Sequence, residues 1–365
     1  MQPLARIAAI SLDLDDTLWP FTPAVIRAEQ TLHDWLLAQA PRTSALLTSP
    51  QVLGELRLRF QAERPDLAHN LRELRLRGWR PEARDLVDWG CGSGIAARRV
   101  IRWLGADAVN SLTVWDHSPL ACDFAAQRAE TEFPGLRVGQ ATPSFLTSSE
   151  PIGLLIVSHV LNELSPEART ALEQLMARAQ AVLWVEPGTH AVSRQLGAIR
   201  ESCRGRFHVV APCTHTDACP MFAAGNERHW CHFFAPPPAE IFADSNWVKF
   251  GQRAGIDLRS LPYACLALDR TAPGGTETGW SRVIGRPEHF KPYARVLSCD
   301  REGLTELEIP KKAAGGLYKA LERTRAPLVY RWTREKEKVL GGEHLGDSGP
   351  GPETGPSDVT SSRES

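Results

Sequence analysis

Two groups of residues in this chain have the types and spacing to do chemistry. The first is the run Asp85-Leu86-Val87-Asp88-Trp89-Gly90-Cys91-Gly92-Ser93-Gly94, an apolar strand pattern feeding three glycines at alternate positions and then a helical pattern, Ile95–Trp103. Glycine tolerates positive φ and lets a ligand approach bare backbone, and a helix N-terminus offers unpaired N–H groups. A strand, glycine turn and helix in that order suit the phosphate or sugar of a nucleotide-type cofactor. Asp88, Gly90, Gly92 and Gly94 are its candidate contacts. Val114-Trp115-Asp116 ends the next apolar run with a carboxylate 22 positions after Gly94. A carboxylate there accepts both hydroxyls of a ribose. A glycine turn with no ligand is the competing reading, and Asp116 counts against it.

The second group is sulfur. Cys213, Cys219 and Cys231 stand in a C-x5-C-x11-C pattern, Ala211-Pro212-Cys213-Thr214-His215 through Cys219-Pro220 to Trp230-Cys231-His232-Phe233. Three cysteines in 19 residues suggest metal ligands, and four are needed to complete a thiolate set around zinc or an iron–sulfur cluster. The five-residue gap is wider than zinc fingers use. Cys299, in Ser298-Cys299-Asp300, is the chosen fourth ligand, with His215 or His232 as competitors that would complete a zinc site. Cys122 and Cys265 read as small buried hydrophobes, and Cys203 has no assignable role.

The elements that must position these groups alternate. Strands are expected at Asp85–Trp89, Ser111–Asp116, Gly153–Ser158 and Ala181–Glu186, with helices between them. This pattern predicts an α/β fold with a parallel sheet covered on both faces. Ligands in such sheets sit beyond the carboxyl ends of the strands, which makes Ser158, His159 and Asn162 candidates for the pocket wall. The D-x-G-x-G-x-G spacing, rather than G-x-G-x-x-G, is the variant expected of S-adenosylmethionine methyltransferases, and no motif declares the methyl acceptor. Five zones follow: a helical region over 1–78, with a strand at Ile7–Leu12 and helices at Pro23–Ala38, Pro50–Arg64 and Asp66–Arg77; a Rossmann-like methyltransferase core over 79–200; a Cys-rich metal-binding segment and the end of the core over 201–270; a small basic β domain over 271–340; and a disordered tail over 341–365.

Composition agrees. The chain has 365 residues, 42% apolar and 23% charged, with a net charge of −1, which is globular and excludes a wholly disordered polymer. No apolar run reaches the roughly 20 residues of a membrane span, and no secretory leader opens the chain. Eight cysteines in a chain of this kind read as thiols or ligands in a reducing cytoplasm rather than as disulfides. Over 281–340, fourteen Lys and Arg face eight Asp and Glu. With Phe290, Tyr293 and Tyr330 nearby, that surplus suits phosphate contacts and base stacking. An ordinary solvated basic face is the alternative.

The segments DWGCGSG, VWDHSP, SHVLNEL, VEPGT, APCTHTDACP, WCHF, SRVIGRP and SCDREG together resemble the ribosomal small-subunit methyltransferase-like family, the mitochondrial and bacterial small-subunit assembly proteins, over about 79–340. The resemblance implies a Rossmann-like S-adenosylmethionine domain, a four-cysteine [4Fe–4S] cluster, a small C-terminal β domain and binding to small-subunit rRNA. Residue by residue, Gly90, Gly92, Gly94 and Asp116 match the cofactor motif, and Cys213, Cys219, Cys231 and Cys299 match the cluster ligands. Thr214 replaces the usual proline after the first cysteine. The implied setting is the cytoplasm of a bacterium, or the mitochondrion in a eukaryote; DNA and membranes are not expected partners. Over 1–77, Ile7-Ala8-Ala9-Ile10-Ser11-Leu12-Asp13-Leu14-Asp15-Asp16-Thr17 resembles motif one of the haloacid dehalogenase superfamily. That resemblance would make Asp13 a nucleophile and Asp15 a general acid/base beside Mg²⁺. The lysine and further carboxylates of that chemistry do not follow. Three readings stand at this point: an S-adenosylmethionine-dependent methyltransferase-like protein on small-subunit rRNA, a non-catalytic RNA-binding assembly factor on the same scaffold, and, least supported, a phosphohydrolase.

Overall fold

The structure, a computed structural model, describes residues 64–237, 261–271 and 279–347. The elements read over 7–63, with Asp13, Asp15 and Asp16, lie outside the described residues. Helix α1 (Pro65–Leu76) is followed by β1 (Asp85–Trp89), α2 (Ile95–Leu104), β2 (Ser111–Trp115), α3 (Pro119–Glu132), β3 (Arg137–Gln140), α4 (Pro143–Thr147), β4 (Ile152–Ser158), α5 (Pro166–Arg178), β5 (Ala179–Pro187), α6 (His190–Ser202) and β6 (His208–Ala211). The helix starts have a local cause. Ser118, Thr142, Ser165 and Thr189 each accept a hydrogen bond from the backbone N–H three residues on, and in the first three a proline follows the cap. A hydroxyl cap with proline at the first helical position satisfies one orphan donor and removes another.

Strands β7 (Phe233–Ala235) and β8 (Leu261–Asp269) complete one sheet of order β3-β2-β1-β4-β5-β8-β6, with β7 paired to β8. Its left part, β3-β2-β1-β4-β5, is parallel as expected. The right part is not. β8 runs antiparallel to both β5 and β6, so the sheet is mixed. The crossover through α6 lays β6 parallel to β5 but one strand-width away, and β8 returns in the opposite direction to fill the slot. It buries seven consecutive residues, Tyr263–Asp269, between two neighbours.

The second body is a closed barrel of β9 (Trp280–His289), β10 (Tyr293–Asp300), β11 (Gly303–Pro310), β12 (Val329–Glu335) and β13 (Lys338–His344), with α7 (Gly315–Arg323) between β11 and β12. The cyclic order is β9-β10-β11-β13-β12, and β11 meets β13 in parallel while the other pairs are antiparallel. Five strands in this order, with a helix joining the third to the fourth, form an oligonucleotide-binding-type barrel. Its interior holds Val283, Val296, Leu307, Ile309, Tyr330 and Val339. Two expectations change here. The tail does not begin at Gly341, because Gly341 and Gly342 lie inside β13 opposite Thr333 and Trp332. Small residues suit that strand, since a Cβ on Gly342 would sit 3.0 Å from the Trp332 ring. Tyr330 cannot stack on a base; it is buried in the barrel, parallel to Trp332 at 4.5 Å.

Helix α1 ties the two bodies together. Leu67, Leu71 and Leu74 pack it into the core of the α/β body. Glu73, on the same helix, is wholly buried and meets two guanidinium groups. Arg77 Nε and Nη2 donate to its Oε1 at 3.0 and 2.7 Å, and Arg282 Nη2, from barrel strand β9, lies 2.9 Å from Oε2.

Candidate functional site

The glycine loop has the conformation its sequence called for. Gly90, Gly92 and Gly94 all have positive φ, at 72°, 50° and 71°. A Cβ on Gly90 would reach Val160 Cγ1 at 2.5 Å, and one on Gly94 would reach Ala125 Cβ at 2.8 Å, so both glycines are required by space as well as by φ. Asp116, at the end of β2, reaches back to the loop: Oδ2 accepts from Gly92 N at 3.0 Å and Oδ1 from Ser118 N at 2.9 Å. His117 Nδ1 lies 3.0 Å from the same Oδ1. An ionised carboxylate has about four acceptor positions. The two backbone bonds leave capacity for a ribose diol, and the residue set fits an adenosyl cofactor. Asp88 stands elsewhere. It is wholly buried beneath the loop, and its Oδ2 lies 3.4 Å from Ala97 N in the first turn of α2. A negative charge at a helix N-terminus favours the helix, so Asp88 braces the loop.

The end of β4 is clasped from the N-terminal side. Arg64 Nη2 donates to Ser158 Oγ at 2.7 Å, and Nε and Nη2 donate to Asp66 at 3.1 and 2.9 Å. His159 Nε2 in turn lies 2.8 Å from Asp66 Oδ2, and its backbone is left-handed at φ 56°. Asn162 sits exposed in the following turn. Of the three pocket-wall candidates, the structure brings Ser158 and His159 together with Arg64 and Asp66, and leaves Asn162 outside. Arg64 and Asp66 carry no spacing signal that would have flagged them.

Behind this turn stands Glu186, at the end of β5 and wholly buried. Its Oε1 accepts from Val160 N at 3.1 Å, Leu161 N at 3.2 Å and Trp184 Nε1 at 2.6 Å, while Oε2 is buried without a hydrogen-bond partner. Burial pushes its carboxyl up to about 7. An acid raised on folding makes the native state bind more protons than the unfolded one, so stability falls as pH rises from about 4.5 to about 7 and levels off above. Glu186→Gln keeps an acceptor oxygen and removes the buried charge. The variant is expected to lose that slope and to gain up to about 3 kcal/mol at pH 8. Urea unfolding at pH 5 and pH 8 checks this. Equal slopes in both proteins would contradict it. A carboxylate interrupting the apolar strand Ala181–Val185 was the signal available in the sequence.

The cysteine segment is held at both ends. Arg77 Nη2 donates to Pro212 O at 2.8 Å, and Nη1 to Cys213 O at 2.9 Å. Arg200, on α6, donates to Asp217 O at 2.6 Å and His215 O at 3.1 Å. Glu201 Oε1 accepts from Cys219 N at 3.1 Å. All eight cysteines are free thiols. Cys219, Cys231 and Cys299 pack against one apolar core although Cys299 comes from barrel strand β10. Burial raises the Cys231 and Cys299 thiols well above their usual range, and the neighbouring sulfurs of Cys213 and Cys219 add to it in both. Burial likewise pushes Cys219 up to about 11. Burial alone would lower the guanidinium of Arg200, yet Cys213, Glu201 and Cys219 raise it, placing a cation beside the sulfurs. These four thiols share one electrostatic environment at the seam between the bodies. Among the described residues, no three His, Cys, Asp or Glu side chains converge closely enough to hold a single metal ion. His232 Nδ1 is engaged with Trp230 O at 3.0 Å, and neither ring nitrogen of buried His215 has a hydrogen-bond partner. The four thiols are soft donors of the kind a metal centre takes, but the described residues do not bring them together as a metal site, and Cys213 packs against the other core from Cys219, Cys231 and Cys299. Cys122, Cys203 and Cys265 are buried in the cores.

On the outer side of the barrel, Phe290 is 39% exposed and stacks on Tyr293 at 4.9 Å, with the Arg295 guanidinium 5.2 Å from its ring centre. Lys291, Lys311 and Lys312 stand exposed beside them.

A family model described as "Mitochondrial small ribosomal subunit Rsm22" matches residues 59–326, more than half of the chain. Magnesium protoporphyrin IX methyltransferase from Synechocystis, solved with S-adenosylhomocysteine, is 12% identical, over 67% of this chain and 99% of that one, with a TM-score of 0.35. TrmK from M. capricolum, also with S-adenosylhomocysteine, is 8% identical over 55% and 68%, with a TM-score of 0.30. An rRNA methylase from Escherichia coli is 16% identical over 54% and 73%, with a TM-score of 0.32. No curated protein matches the chain. Among the described residues no helix is long and apolar enough to cross a membrane.

Proposed function

The chain belongs to the family of the mitochondrial small ribosomal subunit protein Rsm22, and from that membership we propose that it docks on small-subunit rRNA through its barrel, while the methyltransferase-type body holds S-adenosylmethionine. One observation carries the reading: a single ribosomal family model runs through α1, the glycine loop, the cysteine segment and most of the barrel. The Phe290–Tyr293 stack with Arg295 and its neighbouring lysines supports the RNA side. Aromatic faces stack on bases, and cations meet phosphates. The site of action is the ribosome's compartment, a bacterial-type cytoplasm or a mitochondrion.

Gly90, Gly92 and Gly94 would hold the cofactor by bare backbone, and Asp116 would take its ribose hydroxyls. When bound, S-adenosylmethionine supplies an electrophilic methyl group. Cys213, Cys219, Cys231 and Cys299 would hold a [4Fe–4S] cluster as a brace between barrel and α/β body. Zinc, with His215 or His232 completing the set, is the alternative occupant. A methyl-transferring enzyme is the second reading. The clasp speaks against it, because Ser158 and His159, the two pocket-wall candidates at the end of β4, are taken up by Arg64 and Asp66. Docking without methyl transfer is therefore the preferred form.

Calorimetric titration with S-adenosylmethionine tests the cofactor half. Binding to the native chain is expected, and Asp116→Ala is expected to weaken it about a hundredfold. Two hydrogen bonds to a charged acceptor at the low end of about 1.5 kcal/mol each sum to roughly 3 kcal/mol, about a hundredfold in affinity. An unchanged unfolding midpoint in the variant would show that the loss is local. No binding by the native chain would leave the glycine loop as a structural turn.

A further inference from the structure

Between α1, β7, β9 and the end of α7 lies a cavity of about 310 Å³, beside the segments that carry Cys231 and Cys299 and lined by none of the cysteines. Its lining is basic. Arg282, Arg286 and Arg325 reach it together with His69 and His289, and Glu322 is the one carboxylate among the lining residues. Arg282 is 2% exposed. Its Nη2 is spent on Glu73, but Nε and Nη1 are buried with no hydrogen-bond acceptor. The guanidinium carbon also lies over the Phe233 ring, 3.9 Å from its centre.

Among the described residues, the charge count around it does not close. Glu73 is the counter-ion for both Arg77 and Arg282, so the buried group carries one positive charge in excess. His69 gives no anion to balance it. Burial, and then the Arg282 charge, lower its imidazole to about 4, so the ring is neutral at physiological pH. A buried guanidinium with two unmet donors costs several kcal/mol unless an acceptor reaches it. Arg286 and Arg325 are exposed at the opening, where they add charge without closing the entrance. Arg286 is held there by its contact with the Phe234 ring at 4.2 Å.

We propose that this cavity is an anion site for the phosphate of a nucleotide, with Arg282 at its floor and Arg286 and Arg325 at its mouth. An Arg fork matches phosphate oxygens in a bidentate way, and three arginines around one recess exceed what a carboxylate needs. The volume is at the lower end of small-ligand pockets and leaves room for a sugar beside the phosphate. The phosphate can come from a free mononucleotide or from an RNA strand, and the assignment does not depend on the cofactor loop.

The test uses the full chain and calorimetry with inorganic phosphate, AMP, adenosine, and a single-stranded RNA hexamer with and without a 5′-phosphate. Phosphate and AMP are expected to bind and adenosine to fail. Arg286→Gln/Arg325→Gln is expected to lose at least tenfold in affinity at an unchanged unfolding midpoint. Arg128→Gln/Arg137→Gln, the same charge change on exposed residues of α3 and β3, is expected to bind normally. A hexamer that binds more tightly than AMP would point to RNA as the source, and a weaker one to a free nucleotide. Arg282→Gln disturbs Glu73 and is read only for fold. Absence of binding by phosphate, AMP and both hexamers, or equal affinity in the Arg286/Arg325 variant, would overturn the assignment.

Discussion

Glu73→Ala is expected to cost about 3–5 kcal/mol, the range for removing one partner of a buried ion pair. Here one carboxylate, wholly buried, holds Arg77 and Arg282. Its removal leaves two guanidinium groups facing each other without a counter-ion, and frees the only ionic link described between α1 and strand β9. Arg77 also supports Pro212 O and Cys213 O, so the cysteine segment should loosen with it. Glu73→Gln should cost less, since an amide oxygen can still accept from Arg77. The pH dependence has a definite sign. Burial would raise the Glu73 carboxyl, but Arg282 and Arg77 outweigh it and hold it below its ordinary value of 4.5. Its stabilisation is then present in full above about pH 4.5 and is lost as pH falls through the lower native value. Guanidinium unfolding from pH 7 down to pH 3 should show native stability declining toward that of Glu73→Ala. A variant within 1 kcal/mol of the native chain at pH 7 would mean that the ion pairs are held in place by packing and add little.

If Cys213, Cys219, Cys231 and Cys299 hold the proposed cluster, anaerobically purified protein is expected to show broad visible absorbance, and Cys231→Ser to abolish it and lower the thermal midpoint by roughly 10 °C, corresponding to a loss of about 4 kcal/mol. Metal binding at a site absent from the unfolded chain is folding free energy, and its thiol ligands must give up protons to make it. Burial raises Cys231, Cys299 and Cys219, so without a centre they stay protonated thiols. The centre's affinity should therefore fall as pH is lowered. Cys203→Ser alters a buried thiol of the other core, away from this group, and should keep the colour. A colourless native protein, or colour retained in Cys231→Ser, would contradict the four-thiol assignment.

Much of this was legible in the chain. Strand β1 and the start of α2 fall where the pattern Asp85–Trp89 and Ile95 put them, because a buried parallel strand is a continuous apolar run and three glycines can hardly be anything but a turn. The serine–proline and threonine–proline pairs before α3, α4 and α5 marked those helix starts. What sequence did not reveal is long-range. The antiparallel insertion of β8 depends on which edge was left open by the α6 crossover, and an apolar run does not encode its direction. The end of β13, 341–344, reads as tail because its glycines and charges lack an apolar face; pairing with β12 supplies the stability instead. Tyr330 was judged by type, and barrel closure buried it. The clasp of Arg64 and Asp66 on Ser158 and His159 spans more than ninety residues of chain, beyond any local periodicity.

Docking on the small ribosomal subunit is tested most directly by crosslinking the full chain to RNA in cells and sequencing what is recovered. Enrichment of small-subunit rRNA, in a few discrete segments, is the expected result, reduced several-fold by Phe290→Ala/Arg295→Gln. Recovery dominated by tRNA or large-subunit rRNA, or no enrichment over an unrelated protein of equal charge, would contradict it.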